Sequence, residues 1–269
     1  MAEDADEQPV FETSTGPVRV ITAASLFDGH DAAINVMRRL IQSSGAEVIH
    51  LGHDRSAKDV VDCAIQEDAH AVALTSYQGG HVEYFTYIRQ LLDEAGCEHV
   101  RIFGGGGGTI TPPEIRELHQ AGISKIYSPD DGRTMGLMGM IHHLMGIAQE
   151  VDLTSQSRMK SLDSPVTPDD MAKVGLLLTL SESADETAFK QTLEACRSSS
   201  NDVPVIGFTG TGGAGKSSLL DELMLRIQRD NPGKKVCLLC VDPTRKRTGG
   251  ALLGDRIRMN SLSNNDLYM

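Results

Sequence analysis

Five short apolar runs recur along the first half of the chain, and after each one apolar residues return at every third or fourth position. The runs are PVRVITA (Pro17 to Ala23), AEVIHLG (Ala46 to Gly52), AVALTS (Ala71 to Ser76), VRIFGG (Val100 to Gly105) and ISKIYS (Ile123 to Ser128). Helical spacing covers residues 31–44, 57–68, 82–95, 113–121 and 134–149. Continuous apolar runs read as strands buried on both faces, and the intervening segments as the helices that bury them. The alternation therefore predicts an α/β fold of the flavodoxin-like kind, with five parallel strands in the order 2-1-3-4-5. Strands one and three would meet at the topological switch point, and ligands of such sheets lie beyond the carboxyl ends of the strands there.

After residue 150 the pattern changes. VDLTSQSRMKSLDSPVTPDD (residues 151–170) is polar and broken by proline, the composition of a linker. Two helical patterns follow, at 168–182 and 185–199. VPVIGFTG (203–210) then reads as a strand, a helix is expected from about Gly215, and KKVCLLCVD reads as a further strand. The organisation expected is a disordered tail over 1–16, a first domain over 17–150, a linker over 151–170, and over 171–269 a helical lead-in with part of a second α/β domain of the P-loop type.

Composition narrows the function. The 269 residues are 40% hydrophobic and 23% charged, a globular balance, with a formal charge of −12. Such acidity opposes nucleic acid, whose binding rests on neutralising phosphates. The acidic N-terminus has no basic, then apolar, leader pattern, and no apolar run approaches a membrane span of about 18 residues. A cytoplasmic protein that binds no membrane is expected. Cys237 and Cys240 lie three apart on a predicted strand and so point to opposite faces, which reads as two buried thiols in a reducing compartment and not as a metal pair.

Three polar clusters fall at predicted strand ends: Asp28-Gly29-His30 after the first, Ser76-Tyr77-Gln78 after the third, and the run from Gly104 to Gly108 after the fourth. A receiver domain of the same fold would need an aspartate after strand three to accept phosphate, and Ser76 stands there. The three clusters resemble the signature of the cobalamin-binding domain of methylmalonyl-CoA-type mutases and methionine synthase, D-x-H-x-x-G, then S-x-L, then G-G. Forty-two residues separate Ala33 from Ser76 and 26 separate Gln78 from Gly105, as in that family. Two positions depart from it, Ala33 for glycine and Gln78 for leucine. The resemblance implies adenosylcobalamin bound with its benzimidazole displaced and buried. His30 would ligate cobalt, Asp28 would fix the imidazole, Ser76 would meet the benzimidazole nitrogen, and Gly29, Gly104, Gly105 and Gly106 would let the backbone approach the tail. Imidazole suits this task, because hydrogen bonding at one ring nitrogen selects the tautomer that frees the other. Tyr77, Gln78 and His81 either touch the corrin or belong to a surface loop entering a helix.

The second region carries GTGGAGKSS, Gly210 to Ser218, which fits G-x-x-x-x-G-K-S between an apolar strand and an amphipathic helix. Backbone N–H groups of Gly210, Gly212, Gly213, Ala214, Gly215 and Ser218 can cradle phosphates. Lys216, the candidate catalytic residue, brings charge to the β and γ oxygens, and the Ser217 hydroxyl can ligate magnesium. The later VDPTRKRTGGALLGDRIRM resembles the G-protein chaperones of cobalamin-dependent mutases. That likeness implies GTP or GDP as nucleotide, Asp242 and Asp255 as magnesium-site residues and Arg258 near the nucleotide.

The two signatures in this order resemble the fused isobutyryl-CoA mutase family, in which a cobalamin domain and a G-protein chaperone precede a substrate-binding barrel. The resemblance implies a radical isomerase interconverting isobutyryl-CoA and n-butyryl-CoA, homo-oligomeric when intact, whose chaperone gates cofactor loading by GTP hydrolysis. Met269 lies 52 residues beyond Ser217, with no N-K-x-D motif and no barrel between, so a fragment or a shortened homologue is expected, inactive as a mutase by itself. A stand-alone cobalamin carrier or sensor that docks on a separate mutase subunit is the alternative.

Overall fold

The fold is described from a computed structural model, which covers residues 11–167, 169–182, 190, 193, 203–240, 252–253, 255–263 and 266–269. A short antiparallel hairpin, β1 (Glu12–Thr13) and β2 (Gly16–Pro17), comes first. Residues 11–16 are thus part of the fold, although their polarity assigns them to the tail: Phe11 is buried among Val18, Ile141 and Met145.

The main sheet is parallel and built from β3 (Arg19–Ser25), β4 (Glu47–Arg55), β5 (Ala71–Thr75), β6 (Arg101–Gly105) and β7 (Lys125–Tyr127). Its order is β7-β6-β5-β3-β4, the expected 2-1-3-4-5 arrangement. Successive residues of a strand face opposite sides, and both sides here are apolar. Val20, Val48, Ala71, Ala73 and Phe103 face α1 (Asp31–Ser43) and α5 (Pro129–Gln149). Ile21, Ile49, Val72, Leu74 and Ile102 face α2 (Ala57–Gln66), α3 (His81–Glu94) and α4 (Pro112–Gln120). Helix α5 begins one turn earlier than its apolar spacing indicates. Pro129 is pre-organised for a first turn that Ser128 caps through Asp131, and Gly136, at φ +67°, kinks the helix where the apolar stripe starts.

The stretch read as a linker is docked on this domain. It contains α6 (Gln156–Ser161), whose Arg158 is paired with the buried Asp68. Asp68 also accepts from the hydroxyl of Thr179 at 2.6 Å, on α7 (Met171–Glu182), and Thr179 accepts from Arg19 at 2.6 Å. A buried carboxylate needs this full set of donors.

Beyond residue 200 the structure departs from the expected pattern. VPVIGFTG forms no strand: Val205 is 94% exposed and Ile206 73%. A central strand exists only through hydrogen bonds to strands beside it, and among the described residues none pairs with this run. The next expected strand shrinks to β8 (Val236–Cys237), paired in parallel with β10 (Leu267–Tyr268). Cys237 and Cys240 are exposed, not buried. Helix α8 (Lys216–Asp230) does form, one residue after the expected start. Asp221 on it accepts from the amide of Ser261 at 2.8 Å and the side chain of Asn260 at 3.1 Å. Leu252–Leu253, β9, adds a sixth strand to the main sheet beside β4, and the half-buried Arg256 pairs with Glu67 of the first domain at 3.0 Å. The second helix of the lead-in, 185–199, lies almost wholly outside the described residues. None of the helices among those residues is long and apolar enough to cross a membrane.

Candidate functional site

His30 sits at the carboxyl end of β3, as N-cap of α1. Its side chain is 63% exposed while that of Asp28 is fully buried. One carboxylate oxygen of Asp28 accepts from the backbone N–H of His30 at 2.9 Å and lies 2.8 Å from its Nδ1. The other accepts from the backbone N–H of Tyr77 at 2.6 Å. A carboxylate is acceptor only, so Nδ1 carries the proton and Nε2 presents its lone pair to solvent. This is the arrangement a metal-ligating histidine needs, and Asp28 ties it to the loop after β5 in the same step.

Beside His30 opens a cavity of about 250 Å³ between the sheet and the α1/α5 layer. Ile34, Met37, Phe103, Ile141 and Leu144 make it apolar, and Gly104 to Gly107 and Tyr127 close its rim. Tyr77 lines it as well, its ring centroid 5.7 Å from that of His30, and burial raises the pKa of its phenol. Gln78 is exposed and outside the lining.

Of the two neighbouring hydroxyls, Thr75 faces the cavity, not Ser76. Alternation places Thr75 on the α1/α5 face with Ala71 and Ala73, and Ser76 one residue out of phase. The Oγ of Ser76 accepts from Ser25 at 2.9 Å and does not line the cavity. Thr75 does line it, and its Oγ1 is buried with no hydrogen-bond partner. An orphan hydroxyl in an apolar slot costs free energy unless a ligand pairs with it. The alternation along AVALTS separates Thr75 from Ser76 once the layer on each side of the strand is known.

The glycines divide their work differently from the expectation of approach to the tail alone. A Cβ on Gly104 would lie 2.4 Å from Phe85, so that glycine admits a core ring from the opposite layer. A Cβ on Gly106 would fall 1.9 Å from the carbonyl oxygen of Ser76. Gly106 therefore lets the loop after β6 press against the loop after β5, where Ser76 N–H donates to Gly105 at 2.9 Å. Gly29 has nothing within 4 Å of a built Cβ, open space at the mouth of the site.

The phosphate-binding loop is formed locally. Gly213 and Gly215 both have φ near +80°, values that side chains rarely adopt, and Gly215 caps α8 in the left-handed conformation. Lys216 folds back, its Nζ donating to the carbonyls of Gly210 at 2.8 Å and Thr211 at 2.9 Å. Gly210, Gly212, Ala214 and Ser218 are exposed around it, with Ser217 half-buried at the helix start. Asp242 lies outside the described residues. Asp255 and Arg258 begin and end a short 3-10 turn whose backbone packs against α8. Among the described residues no three or more His, Cys, Asp or Glu are grouped so that they could hold a metal ion between them.

Comparison with known proteins covers both regions. Residues 18–130 match the family model for the B12 binding domain, and residues 174–268 that for methylmalonyl Co-A mutase-associated GTPase MeaB. The fused isobutyryl-CoA mutase of Geobacillus kaustophilus is 50% identical over 94% of this chain and 24% of its own length. That of Cupriavidus metallidurans is 49% identical over the whole chain and 25% of its own length. The 2-hydroxyisobutanoyl-CoA mutase small subunit of Aquincola tertiaricarbonis is 36% identical over 42% of this chain and 82% of its own length. The chain thus spans about a quarter of the fused relatives it matches.

Proposed function

Because the chain belongs to the family of fused isobutyryl-CoA mutases, we propose that it is the cofactor-holding and nucleotide-holding part of a radical acyl-CoA isomerase that interconverts isobutyryl-CoA and n-butyryl-CoA. One observation carries the cofactor half: a solvent-facing His30 Nε2, locked by a buried Asp28, beside an apolar cavity with an orphan hydroxyl. That donor set suits adenosylcobalamin bound base-off, with His30 on cobalt and the benzimidazole in the cavity, where Thr75 supplies the hydroxyl and Tyr77 the wall. Bound there, the cofactor supplies an organic radical by homolysis of its cobalt–carbon bond. His30 and Asp28 would hold the metal side of the cofactor, and Thr75 and Tyr77 would shelter its nucleotide portion from water.

The nucleotide half would hold GTP or GDP with Mg²⁺ at Lys216 and Ser217, completed by Asp242, Asp255 and Arg258, and its turnover would gate cofactor loading. Substrate contact belongs to a barrel outside this chain, in a homo-oligomer, and the setting is cytoplasmic. Proximity of substrate to the radical can contribute roughly 7–11 kcal/mol, so this chain alone should not isomerise an acyl-CoA. The match across most of a mutase small subunit favours a second reading, a cobalamin carrier that docks on a separate catalytic subunit.

Electron paramagnetic resonance of bound cob(II)alamin, with calorimetric titration of GTP, tests the assignment. The wild-type chain should show nitrogen superhyperfine splitting that His30→Ala removes, and Lys216→Ala should abolish GTP binding while leaving the cobalamin spectrum unchanged. Splitting that persists without His30 would dismiss it as the ligand. Full n-butyryl-CoA formation by this chain from isobutyryl-CoA would dismiss the need for a barrel.

A further inference from the structure

The buried His81 is bound to neither the core nor the cobalt ligand. It begins α3, directly behind the loop that follows Thr75 and carries Tyr77, and is 6% exposed. Both of its ring nitrogens face acceptors. Nδ1 lies 3.3 Å from the backbone carbonyl of Gln78, and Nε2 lies 3.3 Å from Oε1 of Glu114. Glu114 belongs to α4, behind the glycine-rich loop. Its other oxygen is taken by Thr111, whose N–H donates at 2.7 Å and whose hydroxyl donates at 2.6 Å. Those bonds hold the carboxyl below the usual range and leave Oε1 for the imidazole. Nε2 is buried and makes no hydrogen bond, so what joins it to Glu114 is a close polar contact across the two loops.

The two loops so joined form one wall of the cavity. They are already in backbone contact at Ser76 and Gly106, and Tyr77 rests on Gly107, where a Cβ would be 3.3 Å from its ring. We propose that His81 is a positioning residue for the cofactor tail: its ring clamps the loop after β5 to the loop after β6 and so sets the width of the slot between Tyr77 and the glycines. A slot held at one width prepays the ordering that tail binding would otherwise require.

The role rests on the cobalamin reading above, and one set of measurements separates the two. Cobalamin affinity, melting temperature and the fraction of bound cob(II)alamin with nitrogen splitting are measured on the full chain and on His81→Ala, His81→Gln, Glu114→Gln and the double variant His81→Ala/Glu114→Gln. A polar contact to a carboxylate at this distance is worth about one decade in affinity at most. His81→Ala and Glu114→Gln should each weaken binding about tenfold and lower the split fraction, because a slack slot seats the tail without seating cobalt on His30. The double variant should lose no more than the weaker-binding single variant, and His81→Gln, which keeps one donor, should recover part of the loss. A His81→Ala chain that is less stable but binds with unchanged affinity and split fraction would reduce His81 to packing, and additive losses in the double variant would show that the pair does not act together. If the wild-type chain binds no cobalamin, the cofactor assignment falls and this role falls with it.

Discussion

The two halves of this chain carry sequence signatures of similar quality, yet the structure treats them in opposite ways. In the first half every strand of the sheet is paired and both faces are buried, so Asp28, Thr75 and Gly106 act from positions fixed by a core. In the second half the phosphate loop has its turn glycines and its helix, while the apolar run before it stands in solvent. The difference separates two kinds of information. A glycine-rich loop capping a helix is specified within about ten residues, by local conformational preference and hydrogen bonds along the backbone. A strand is specified only by neighbours that accept and donate beside it.

Acid should separate the halves most. All nine histidines lie within the first 143 residues. Burial pushes His50 down to about 4, His70 to about 3 and His99 to about 4, with Arg38, Arg19 and Arg158 lowering them further. Each folded value lies below the unfolded value near 6.5, so between the two the unfolded chain binds the proton and the folded chain does not. Stability is then complete above about pH 6.5 and falls as pH drops toward 4, by about 1.4 kcal/mol per pH unit for each such imidazole. Hydrogen exchange at pH 7 and pH 5 should show protection lost in the main sheet while α8 changes less. Equal loss in both halves would erase the contrast.

Glycine substitutions sharpen it at single positions. Gly106→Ala drives a methyl into a backbone carbonyl, and a clash that the backbone must move to relieve costs about 3 kcal/mol, at the upper end for overpacking. Gly212→Ala meets nothing within 4 Å in the phosphate loop and should change stability by about 0.5 kcal/mol or less. Urea midpoints of the two variants measure the gap, and comparable destabilisation would mean that the phosphate loop is as tightly enclosed as the glycine-rich one.

The smallest effect is also the most specific. Thr75→Val keeps the shape and removes the orphan hydroxyl, so the ligand-free chain should gain stability, by about 1 kcal/mol at most. Cobalamin affinity should fall severalfold in the same variant. A Ser76→Ala chain, which removes only the acceptor for Ser25, should leave affinity nearly unchanged. The reverse pattern would return the tail contact to Ser76.

Strand order, helix positions, the Asp28–His30 pair and the phosphate-binding loop could all be read from the residues, because each follows from periodicity or from a short motif whose parts act on one another directly. The hydroxyl facing the cavity could not be read from a spacing rule, since Thr75 and Ser76 fit similar spacings and only the face each presents to the layer above separates them. Nor could the work of Gly104 and Gly106, whose missing Cβ atoms make room for Phe85 and for the carbonyl of Ser76. The docking of residues 151–170 through Arg158 and Asp68 was masked by its polar composition, which describes a linker and a buried ion-pair network equally well. His81 and Glu114 lie 33 positions apart, in the first turns of two helices that meet only when the strands before them pair. The sequence by itself determined the strands of the first sheet, most of its helices and the short motifs at their ends, because period and local motif act through near neighbours along the chain. Tertiary structure alone decided which hydroxyl faces the cavity and what each glycine makes room for, because that depends on which layer covers each side of the sheet and on contacts between segments distant in sequence.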